Sequence, residues 1–471
     1  MNTNNIFLLA DSYKISHWNM LPPKTNKVYS YVESRGGEIE ETLFFGLQFL
    51  IKRLNTFFPT MEDVEDAKAF YDAHGEPFNY DGAKQLVDLG YFPLEIKAVK
   101  EGTILPSKHI LVSITNTLDD YAWLPSFMET ILLNSTWYPT TVASYSYACK
   151  KIISEAYDRT ATEESKAGIP FALHDFGFRG ASSIETAGIG GTAHLVNFNG
   201  SDTVIANVFA KNFYNEEVAS FSVPAAEHSV ITAWGKNNES DAYENIIDEY
   251  PDGIVSVVSD SYDIYNAVDQ IIGVKLKDKI LARDGVYVVR PDSGDPVTVL
   301  CGDKSITNPQ DNDSILVKKG ILQILLERFG GTVNDKGFKV LNEKIRVLQG
   351  DGINIHSLKD ICDSLEENGW SVENMVFGMG GKLLQDHNRD TMKFACKCSH
   401  IEVDGEPRDV FKEPKTDSGK NSKRGVMSLL RENGKYHTVK GKHRGDLLET
   451  VYLDGRVIRN QSLSEIREMV R

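Results

Sequence analysis

Ile254-Val255-Ser256-Val257-Val258, followed at once by Ser259-Asp260-Ser261, decides the fold of this chain. Apolar, mostly β-branched residues are typical of a strand buried on both faces, and the polar residues after them are typical of a loop. The pattern returns three times: residues 286–289 lead into Arg290-Pro291-Asp292-Ser293-Gly294, 345–348 into Gln349-Gly350-Asp351-Gly352, and 375–377 into Gly378-Met379-Gly380-Gly381. Segments of helical character, such as 315–329 and 357–367, lie between these runs. The alternation predicts an α/β fold with buried parallel strands and crossover helices.

The polar loops after the four runs predict a ligand site. In parallel sheets and barrels, ligands bind at the carboxyl ends of the strands, where such loops gather. Their glycines let phosphate oxygens reach backbone N–H groups. Asp292 and Asp351 are candidates for ribose hydroxyls, and Asp260 is a candidate for holding Mg²⁺ through water, because that ion keeps part of its hydration shell. Each loop alone is more often an ordinary turn, but four in succession favour a functional cavity.

A second informative stretch spans residues 174–202, which combine aromatic side chains, one arginine, acidic residues and six glycines. Glycine inside a helix or strand costs about 0.5–1 kcal/mol, so this density indicates a backbone that a ligand approaches closely. Phe176 or Phe178 offers a stacking face for a flat ring, and Arg179 and Asp202 offer a donor and an acceptor for its polar edge. The stretch therefore predicts a pocket for a flat, amide-bearing ring.

The composition excludes some classes of protein. A chain of 471 residues with 41% hydrophobic content can bury a large core, and its formal net charge of −16 argues against nucleic acid as a partner. The N-terminal residues lack the basic region and apolar run of a secretory signal, and no apolar run reaches membrane-spanning length. Five cysteines without scaffold spacing fit a reducing compartment. We therefore expect a cytoplasmic protein that binds no membrane.

The two ends of the chain have a different sequence pattern from its centre. Residues 27–35 alternate between apolar and polar side chains, which predicts a strand, and residues 42–57 predict a helix. Residues 118–156 predict two helices on either side of Tyr138-Pro139. The C-terminal part carries Asp-Gly and Asn-Gly turn signals, which predict hairpins.

Three segments carry a resemblance to a known family: His174-Asp175-Phe176-Gly177-Phe178-Arg179-Gly180, Thr186-Ala187-Gly188-Ile189-Gly190 and Ser222-Val223-Pro224-Ala225-Ala226-Glu227-His228-Ser229. They are similar to signature segments of the nicotinamide phosphoribosyltransferases, and the similarity extends from Asp11-Ser12-Tyr13-Lys14 almost to the C-terminus. The resemblance implies an irregular (β/α) barrel-like domain over residues 166–384 and a mixed α+β domain formed by 1–165 together with 385–471. It also implies that phosphoribosyl pyrophosphate and nicotinamide react to give nicotinamide mononucleotide and pyrophosphate.

The resemblance assigns roles to individual residues. The nicotinamide ring would lie between Phe176 and Tyr13, the latter supplied by the other subunit, with Arg179 and Asp202 at its carboxamide. The positions that match the family's ribose, pyrophosphate and ATP contacts are Arg35, Arg290, Asp292, Gly350, Asp351, Gly380, Gly381, Arg389, Lys397 and Lys412. Several of these come from the partner chain in the family, which implies a homodimer with shared sites.

His228 matches the family's phosphate acceptor, which implies that ATP hydrolysis is coupled to the reaction through a phosphohistidine. Glu227, its neighbour in sequence, is a candidate for orienting the imidazole ring. Asp260 and Asp292 complete the predicted catalytic set with His228. The implied cofactor is Mg²⁺, which Asp260 would contact through water, and ATP is the implied coupled substrate.

Two rival functions share these features. A nicotinate or quinolinate phosphoribosyltransferase would use the same sugar site but should meet its acidic ring with extra cations, not with Asp202. A non-catalytic nucleotide-binding protein on the same fold would be expected to have lost site residues. Here Phe176, Arg179, Asp202, His228 and Asp292 are all present, which favours the transferase that acts on nicotinamide.

The chain lacks the basic insertion that vertebrate members of the family carry after Arg35, where Gly36-Gly37 stands, and it departs from the family's pattern at two further places. Residues 378–382 read Gly-Met-Gly-Gly-Lys, where the family has Gly-Ser-Gly-Gly-Gly. Val426 stands after Gly425, where the family has an arginine. Both changes concern the rim of the nucleotide site more than the core that binds the ring.

Overall fold

The computed structural model describes residues 2–413 and 422–470, which form two compact units. The first unit comprises Met1–Ser144, Phe209–Glu217 and His387–Arg471, and the second comprises Tyr145–Val208 and Val218–Asp386. The domain boundaries expected from the sequence, at 165/166 and 384/385, stay a prediction. No helix of the described residues is long and apolar enough to cross a membrane.

A six-stranded sheet forms the core of the second unit and curls into half a barrel. In spatial order its strands are Gly200–Ser201, Leu173–Asp175, Met375–Met379, Ile345–Gln349, Asp284–Arg290 and Asp252–Val258. Neighbouring strands are parallel throughout. The four runs that the sequence singles out are all strands of this sheet, so the prediction of an α/β fold with a barrel-like part is confirmed.

Helices connect these strands. Those of the second unit are Ile184–His194, His228–Thr232, Glu239–Glu249, Ile264–Asn266, Lys277–Ala282, Pro296–Cys301, Asn312–Phe329, Ile355–Glu367 and Gly381–Leu384, with a π-helical segment at Ala267–Lys275. Short 3₁₀ turns lie at Glu164–Phe171, Phe178–Gly180, Lys236–Asn238 and Val372–Asn374, and a hairpin pairs Gly331–Val333 with Lys339–Leu341. The side chains of Asp311 and Asn354 accept hydrogen bonds from first-turn N–H groups and thereby fix where two of these helices begin.

The register of the sheet brings the carboxyl ends of its strands to one edge. Val258 is opposite Arg290, and Met379 is opposite Asp175. The strand interiors are apolar and buried, as at the fully buried Val289. Polar side chains are therefore concentrated in the loops that follow the strands, which is where a parallel sheet binds its ligands.

An antiparallel seven-stranded sheet forms the core of the first unit. Its strands, in spatial order, are Glu406–Asp409, Ala395–Val403, Thr25–Glu33, Ile110–Asn116, Leu94–Ala98, Glu449–Leu453 and Arg456–Val457. Two smaller sheets pair Glu41–Leu43 with Ile104–Pro106 and Met427–Glu432 with Lys435–Lys440. The predicted hairpins are confirmed, because Asp404, Asn433 and Asp454 adopt the positive φ of tight turns between paired strands.

The first unit also carries helices. They are Leu47–Leu54, Met61–His74, Tyr80–Leu89, Leu124–Phe127 and Leu463–Val470, and the helices Glu129–Thr160 and Val204–Tyr214 have residues in both units. Short 3₁₀ turns lie at Ile6–Leu8, Ser12–Lys14, His17–Asn19, Asn55–Phe57 and Asp119–Tyr121. The helix expected over 42–57 begins only at Leu47, because Glu41–Leu43 is a strand and Gly46 has a φ of 101°.

The expectation of two helices around Tyr138-Pro139 is wrong. One helix, Glu129–Thr160, continues through Pro139, although an internal proline costs about 3 kcal/mol. Local packing offsets this cost. A Cβ added to Gly46 would lie 2.2 Å from Pro139 Cγ, so the proline ring fills the space beside that glycine. Thr140 Oγ1 next to it donates a 2.9 Å hydrogen bond to Phe45 O.

Candidate active site

Phe176 forms a platform at the edge where the parallel strands end. Its backbone N–H donates to Met379 O at 2.9 Å, which ties the turn after Leu173–Asp175 to the neighbouring strand. A Cβ added to Gly378 would lie 2.1 Å from Phe176 Cε2, so only glycine leaves room for the ring there. The Arg290 guanidinium lies 5.5 Å from the ring centroid, within cation–π range. Gly378 is not among the site residues predicted from the sequence, where its only signal is its position two residues before Gly380.

Asp175 precedes Phe176 in the chain and is fully buried. Its Oδ1 accepts a 2.7 Å hydrogen bond from Gly177 N–H, and its Oδ2 is 3.5 Å from Ser201 Oγ. Burial, with a smaller contribution from the nearby Asp202 charge, raises the pKa of the Asp175 carboxyl to about 6, although the hydrogen bond from Gly177 N–H lowers it. Asp175 is not among the site residues predicted from the sequence, where it has no signal beyond its place in the motif with Phe176.

Asp202 and Arg179 lie on neighbouring segments of the same edge. Asp202 N–H donates to Asp175 O at 2.9 Å, so the end of the strand Leu173–Asp175 holds the residue that follows the strand Gly200–Ser201. Asp202 Oδ1 accepts a hydrogen bond from Ser222 Oγ and is otherwise exposed. Arg179 is exposed in the turn Phe178–Gly180 and forms no ion pair with any residue that the structure describes. Phe176, Arg179 and Asp202 thus present a ring face, a cation and a carboxylate at adjacent strand ends.

Asp260 follows the edge strand Asp252–Val258, and its side chain contacts three residues of other segments. Its side chain is 3% exposed, and its Oδ1 lies 3.0 Å from His228 Nε2. Its Oδ2 accepts hydrogen bonds from Asp292 N–H at 3.0 Å and from Ser293 Oγ. The partner of His228 is therefore Asp260, not Glu227, whose carboxylate instead accepts a hydrogen bond from Ser229 Oγ.

Arg290 and Asp292 form the next pair at this edge. Asp292 Oδ1 accepts hydrogen bonds from Arg290 Nη2 at 2.7 Å and Nε at 3.1 Å. The other oxygen, Oδ2, lies 3.9 Å from His228 Nδ1. The imidazole is thus flanked by two carboxylates, and 45% of its side chain remains exposed to an incoming ligand.

Two of the remaining predicted residues of the second unit, Gly380 and Gly381, have open space beside their backbone. A Cβ added to Gly381 meets no atom within 4 Å, and one added to Gly380 meets only Phe176 O, at 3.9 Å. Gly350 lies beside the platform, since its added Cβ would be 3.4 Å from Phe176 Cε2. Asp351 is exposed, and its backbone O accepts a hydrogen bond from Gln349 Nε2 at 3.0 Å. Protein packing therefore does not require glycine at 380 or 381.

Five predicted contacts belong to the first unit. They are Tyr13, Arg35, Arg389, Lys397 and Lys412. Tyr13 is 57% exposed, and Arg389 Nη2 pairs with Asp390 Oδ1 at 2.9 Å. Arg35 Nε pairs with the buried Glu33 Oε1 at 2.9 Å, and the other Glu33 oxygen holds Lys423.

No group of three or more His, Cys, Asp or Glu side chains suited to a metal ion occurs within residues 2–413 and 422–470. Both Asp260 oxygens already accept hydrogen bonds from protein groups. This carboxylate therefore fits a contact to metal-bound water better than direct ligation.

Comparisons with known proteins show the family of this chain. The model described as the nicotinate phosphoribosyltransferase (NAPRTase) family matches residues 171–456, and that of the nicotinamide phosphoribosyltransferase N-terminal domain matches 5–96. A nicotinamide phosphoribosyltransferase of Xanthomonas campestris pv. campestris is 45% identical over 98% of this chain and 97% of its own length. The chain belongs to the nicotinate and nicotinamide phosphoribosyltransferase family.

Further similar proteins include one sequence relative and two solved structures. A nicotinamide phosphoribosyltransferase of Acinetobacter baylyi is 33% identical over 97% of this chain and 95% of its own length. Among solved structures, nicotinate-nucleotide pyrophosphorylase from Pyrococcus furiosus has a TM-score of 0.61 at 17% identity, covering 100% of this chain and 96% of that one. Human nicotinic acid phosphoribosyltransferase has a TM-score of 0.57 at 15% identity, with coverage of 98% and 92%. At these identities the structural matches establish a shared fold.

The structure shows where two of the departures from the family pattern, Met379 and Lys382, lie. Met379 is fully buried as the last residue of its strand, so its side chain does not enter the loop at Gly380 and Gly381. Lys382 forms an ion pair with Asp386 one helical turn later. Neither residue fills the open space beside the two glycines.

Proposed function

We propose that this chain transfers the phosphoribosyl group of phosphoribosyl pyrophosphate to nicotinamide, giving nicotinamide mononucleotide and pyrophosphate. The observation that carries the proposal is the carboxylate of Asp202 at the edge of the pocket that Phe176 floors. A carboxylate accepts the N–H of a carboxamide but repels the carboxylate of nicotinate. The relatives named as nicotinamide phosphoribosyltransferases support the same choice of ring.

The ring pocket would hold nicotinamide by stacking and by two polar contacts. Phe176 supplies the stacking face, and Gly378 keeps that ring in place. Asp202 would accept the amide N–H while Arg179 donates to the amide oxygen. Both contacts orient the ring so that its nitrogen faces the ribose.

The proposed chemistry requires no nucleophile from the protein. The bond between ribose C1 and the pyrophosphate oxygen breaks, and its electron pair leaves with pyrophosphate. The pyridine nitrogen then donates its lone pair to the oxocarbenium-like C1 and becomes a pyridinium. Positioning of the two substrates and stabilisation of the leaving charge would supply the rate enhancement.

The loops at the strand ends would hold the sugar and its phosphates. Asp292, oriented by Arg290, and Asp351 would accept hydrogen bonds from the ribose hydroxyls. The open backbone at Gly380 and Gly381 would donate N–H groups to the 5′-phosphate. Gly350 would let the sugar approach beside Phe176. The basic residues of the first unit are proposed contacts for pyrophosphate and ATP phosphates: Arg35, Arg389, Lys397 and Lys412.

We further propose that His228 accepts a phosphoryl group from ATP. Its Nε2 is engaged by Asp260 at 3.0 Å, which fixes the ring and leaves Nδ1 as the nitrogen that faces Asp292. Because a carboxylate accepts hydrogen bonds, this contact would place the ring proton on Nε2. Mg²⁺ would enter with the phosphates and meet Asp260 through water. The active form would be a cytoplasmic homodimer in which Tyr13 of one subunit covers the ring in the other.

Product identification tests the proposed reaction. The protein is incubated with phosphoribosyl pyrophosphate, Mg²⁺ and either nicotinamide or nicotinate, and the mononucleotide and pyrophosphate are quantified by mass spectrometry and a coupled assay. We expect nicotinamide mononucleotide and pyrophosphate in equal amounts, with strong loss of both in Asp292→Ala. Exclusive formation of nicotinate mononucleotide would assign the chain to the rival function, and absence of both products would refute a transferase of this class.

A further inference from the structure

We propose that Asp175 positions the ring pocket and that its negative charge helps the pocket to reject an anionic ring. The inference rests on the proposed function, because it concerns the same pocket. Asp175 does not touch the space where the ring would lie, since its side chain is fully buried. It is therefore a positioning residue that acts through its neighbours.

Asp175 connects the segments that carry the ring contacts. Its Oδ1 accepts Gly177 N–H at 2.7 Å and so fixes the turn that begins at Phe176. Its backbone O accepts Asp202 N–H at 2.9 Å and so fixes the carboxylate proposed to meet the amide. One residue thus sets the spacing between the stacking face and the hydrogen-bond acceptor.

The helix packed behind Asp175 leaves space for this carboxyl. A Cβ added to Gly191, in Ile184–His194, would lie 3.2 Å from Asp175 Oδ2 and 2.7 Å from Ala206 Cβ. Ser201 Oγ contributes a longer contact of 3.5 Å. Among the described residues packed against Asp175, the charged group that perturbs it is Asp202, and the other contacts come from backbone N–H and hydroxyl groups.

The charge of the Asp175 carboxyl changes with pH close to neutrality. Burial and the charge of Asp202 raise the pKa of its carboxyl to about 6. At pH 7.5 the pocket therefore holds two carboxylates, and at pH 5.5 Asp175 is mostly neutral. The carboxyl of nicotinate stays ionised over this range, because such a group titrates near about 4.

Discrimination between the two rings should follow this titration. For a second charge about 10 Å from the substrate carboxylate, in an effective dielectric of about 20–40, preference changes by roughly four- to fifteenfold. The ratio of kcat/KM for nicotinamide to kcat/KM for nicotinate should be largest above pH 7. It should fall by that factor with a midpoint near pH 6. A residue with a purely structural role would change both constants together and leave the ratio independent of pH.

The experiment measures both specificity constants between pH 5.5 and 8 for the wild type, Asp175→Asn and the control Asp278→Asn. Asp278 is exposed, so its substitution removes one charge without touching the pocket. We expect the ratio to fall at low pH in the wild type and the control. In Asp175→Asn it should be lower at pH 7.5 and nearly constant.

Several results would overturn the inference. A pH-independent ratio in the wild type contradicts it, even if Asp175→Asn fails to fold, because that measurement needs no variant. A ratio in Asp175→Asn equal to that of the wild type at pH 7.5 contradicts it as well. Failure of the wild type to use either ring would instead refute the proposed function itself, which separates the two conclusions.

Discussion

Replacing Gly381 by alanine should separate ligand binding from folding at the loop proposed to hold the 5′-phosphate. A Cβ added to Gly381 meets no atom within 4 Å, and the residue lies outside the left-handed region of φ. The folded protein therefore accommodates the methyl group. We expect the free energy of unfolding to change by less than about 1 kcal/mol.

The same methyl group would occupy space that the phosphate needs. A phosphate oxygen that accepts the Gly381 N–H must approach that nitrogen to about 2.8 Å. Loss of one hydrogen bond to a charged group costs about 1.5–3 kcal/mol. This corresponds to a rise of roughly 10- to 150-fold in the KM for phosphoribosyl pyrophosphate, with a smaller change in the KM for nicotinamide.

Steady-state rates with phosphoribosyl pyrophosphate varied, together with urea unfolding, measure the two effects separately. Gly378→Ala is the contrasting variant, because its Cβ would lie 2.1 Å from Phe176 Cε2. There we expect a loss of about 1–3 kcal/mol of stability and a higher KM for nicotinamide. The proposed phosphate contact would be contradicted by a Gly381→Ala variant that keeps its KM for phosphoribosyl pyrophosphate within about twofold of wild type, or that unfolds as readily as Gly378→Ala.

Four further predictions follow from the site. Asp202→Asn should raise kcat/KM for nicotinate and lower kcat/KM for nicotinamide by a smaller factor; an unchanged ratio of the two specificity constants would contradict the proposed role of Asp202. His228→Ala should abolish stimulation by ATP but leave slower synthesis, so persistent stimulation would exclude the phosphohistidine. Mixed dimers of inactive Tyr13→Ala and Asp292→Ala chains should recover activity, and no recovery after proven subunit exchange would refute shared sites. Because folding raises the pKa of Asp175 to about 6, the native state binds its proton more tightly than the unfolded chain. This group should therefore add up to about 3 kcal/mol to the free energy of unfolding as pH falls from 7 to 4, and urea titrations of Asp175→Asn should lack that increment.

The parallel sheet could be predicted because its signal is local. Strands buried on both faces must be continuously apolar, and the loops after them carry the polar residues, so runs such as 254–258 identify themselves. The proposed ring contacts Phe176, Arg179 and Asp202 could be selected as candidates because so dense a mixture of aromatic, charged and glycine residues is unfavourable for a helix or strand.

Contacts between distant segments could not be predicted in the same way. Glu227 is adjacent to His228 in sequence, yet the imidazole meets Asp260, which is 32 residues away. Asp175 gains its environment from the strand register that sets it beside Ser201. The continuous helix through Pro139 packs its proline ring against Gly46, more than 90 residues earlier. In each case the deciding energy comes from tertiary packing, which a local pattern does not contain.

The most direct test of the central claim, that this pocket takes an amide-bearing ring, is the ratio of kcat/KM for nicotinamide to kcat/KM for nicotinate in the wild type at pH 7.5. Two unit charges about 4 Å apart in an effective dielectric of about 20 repel by on the order of 4 kcal/mol, and one third of that still gives roughly tenfold discrimination. We therefore expect a ratio of at least about 10 in favour of nicotinamide. A ratio of about one or less would contradict the assignment of Asp202 and with it the proposed substrate.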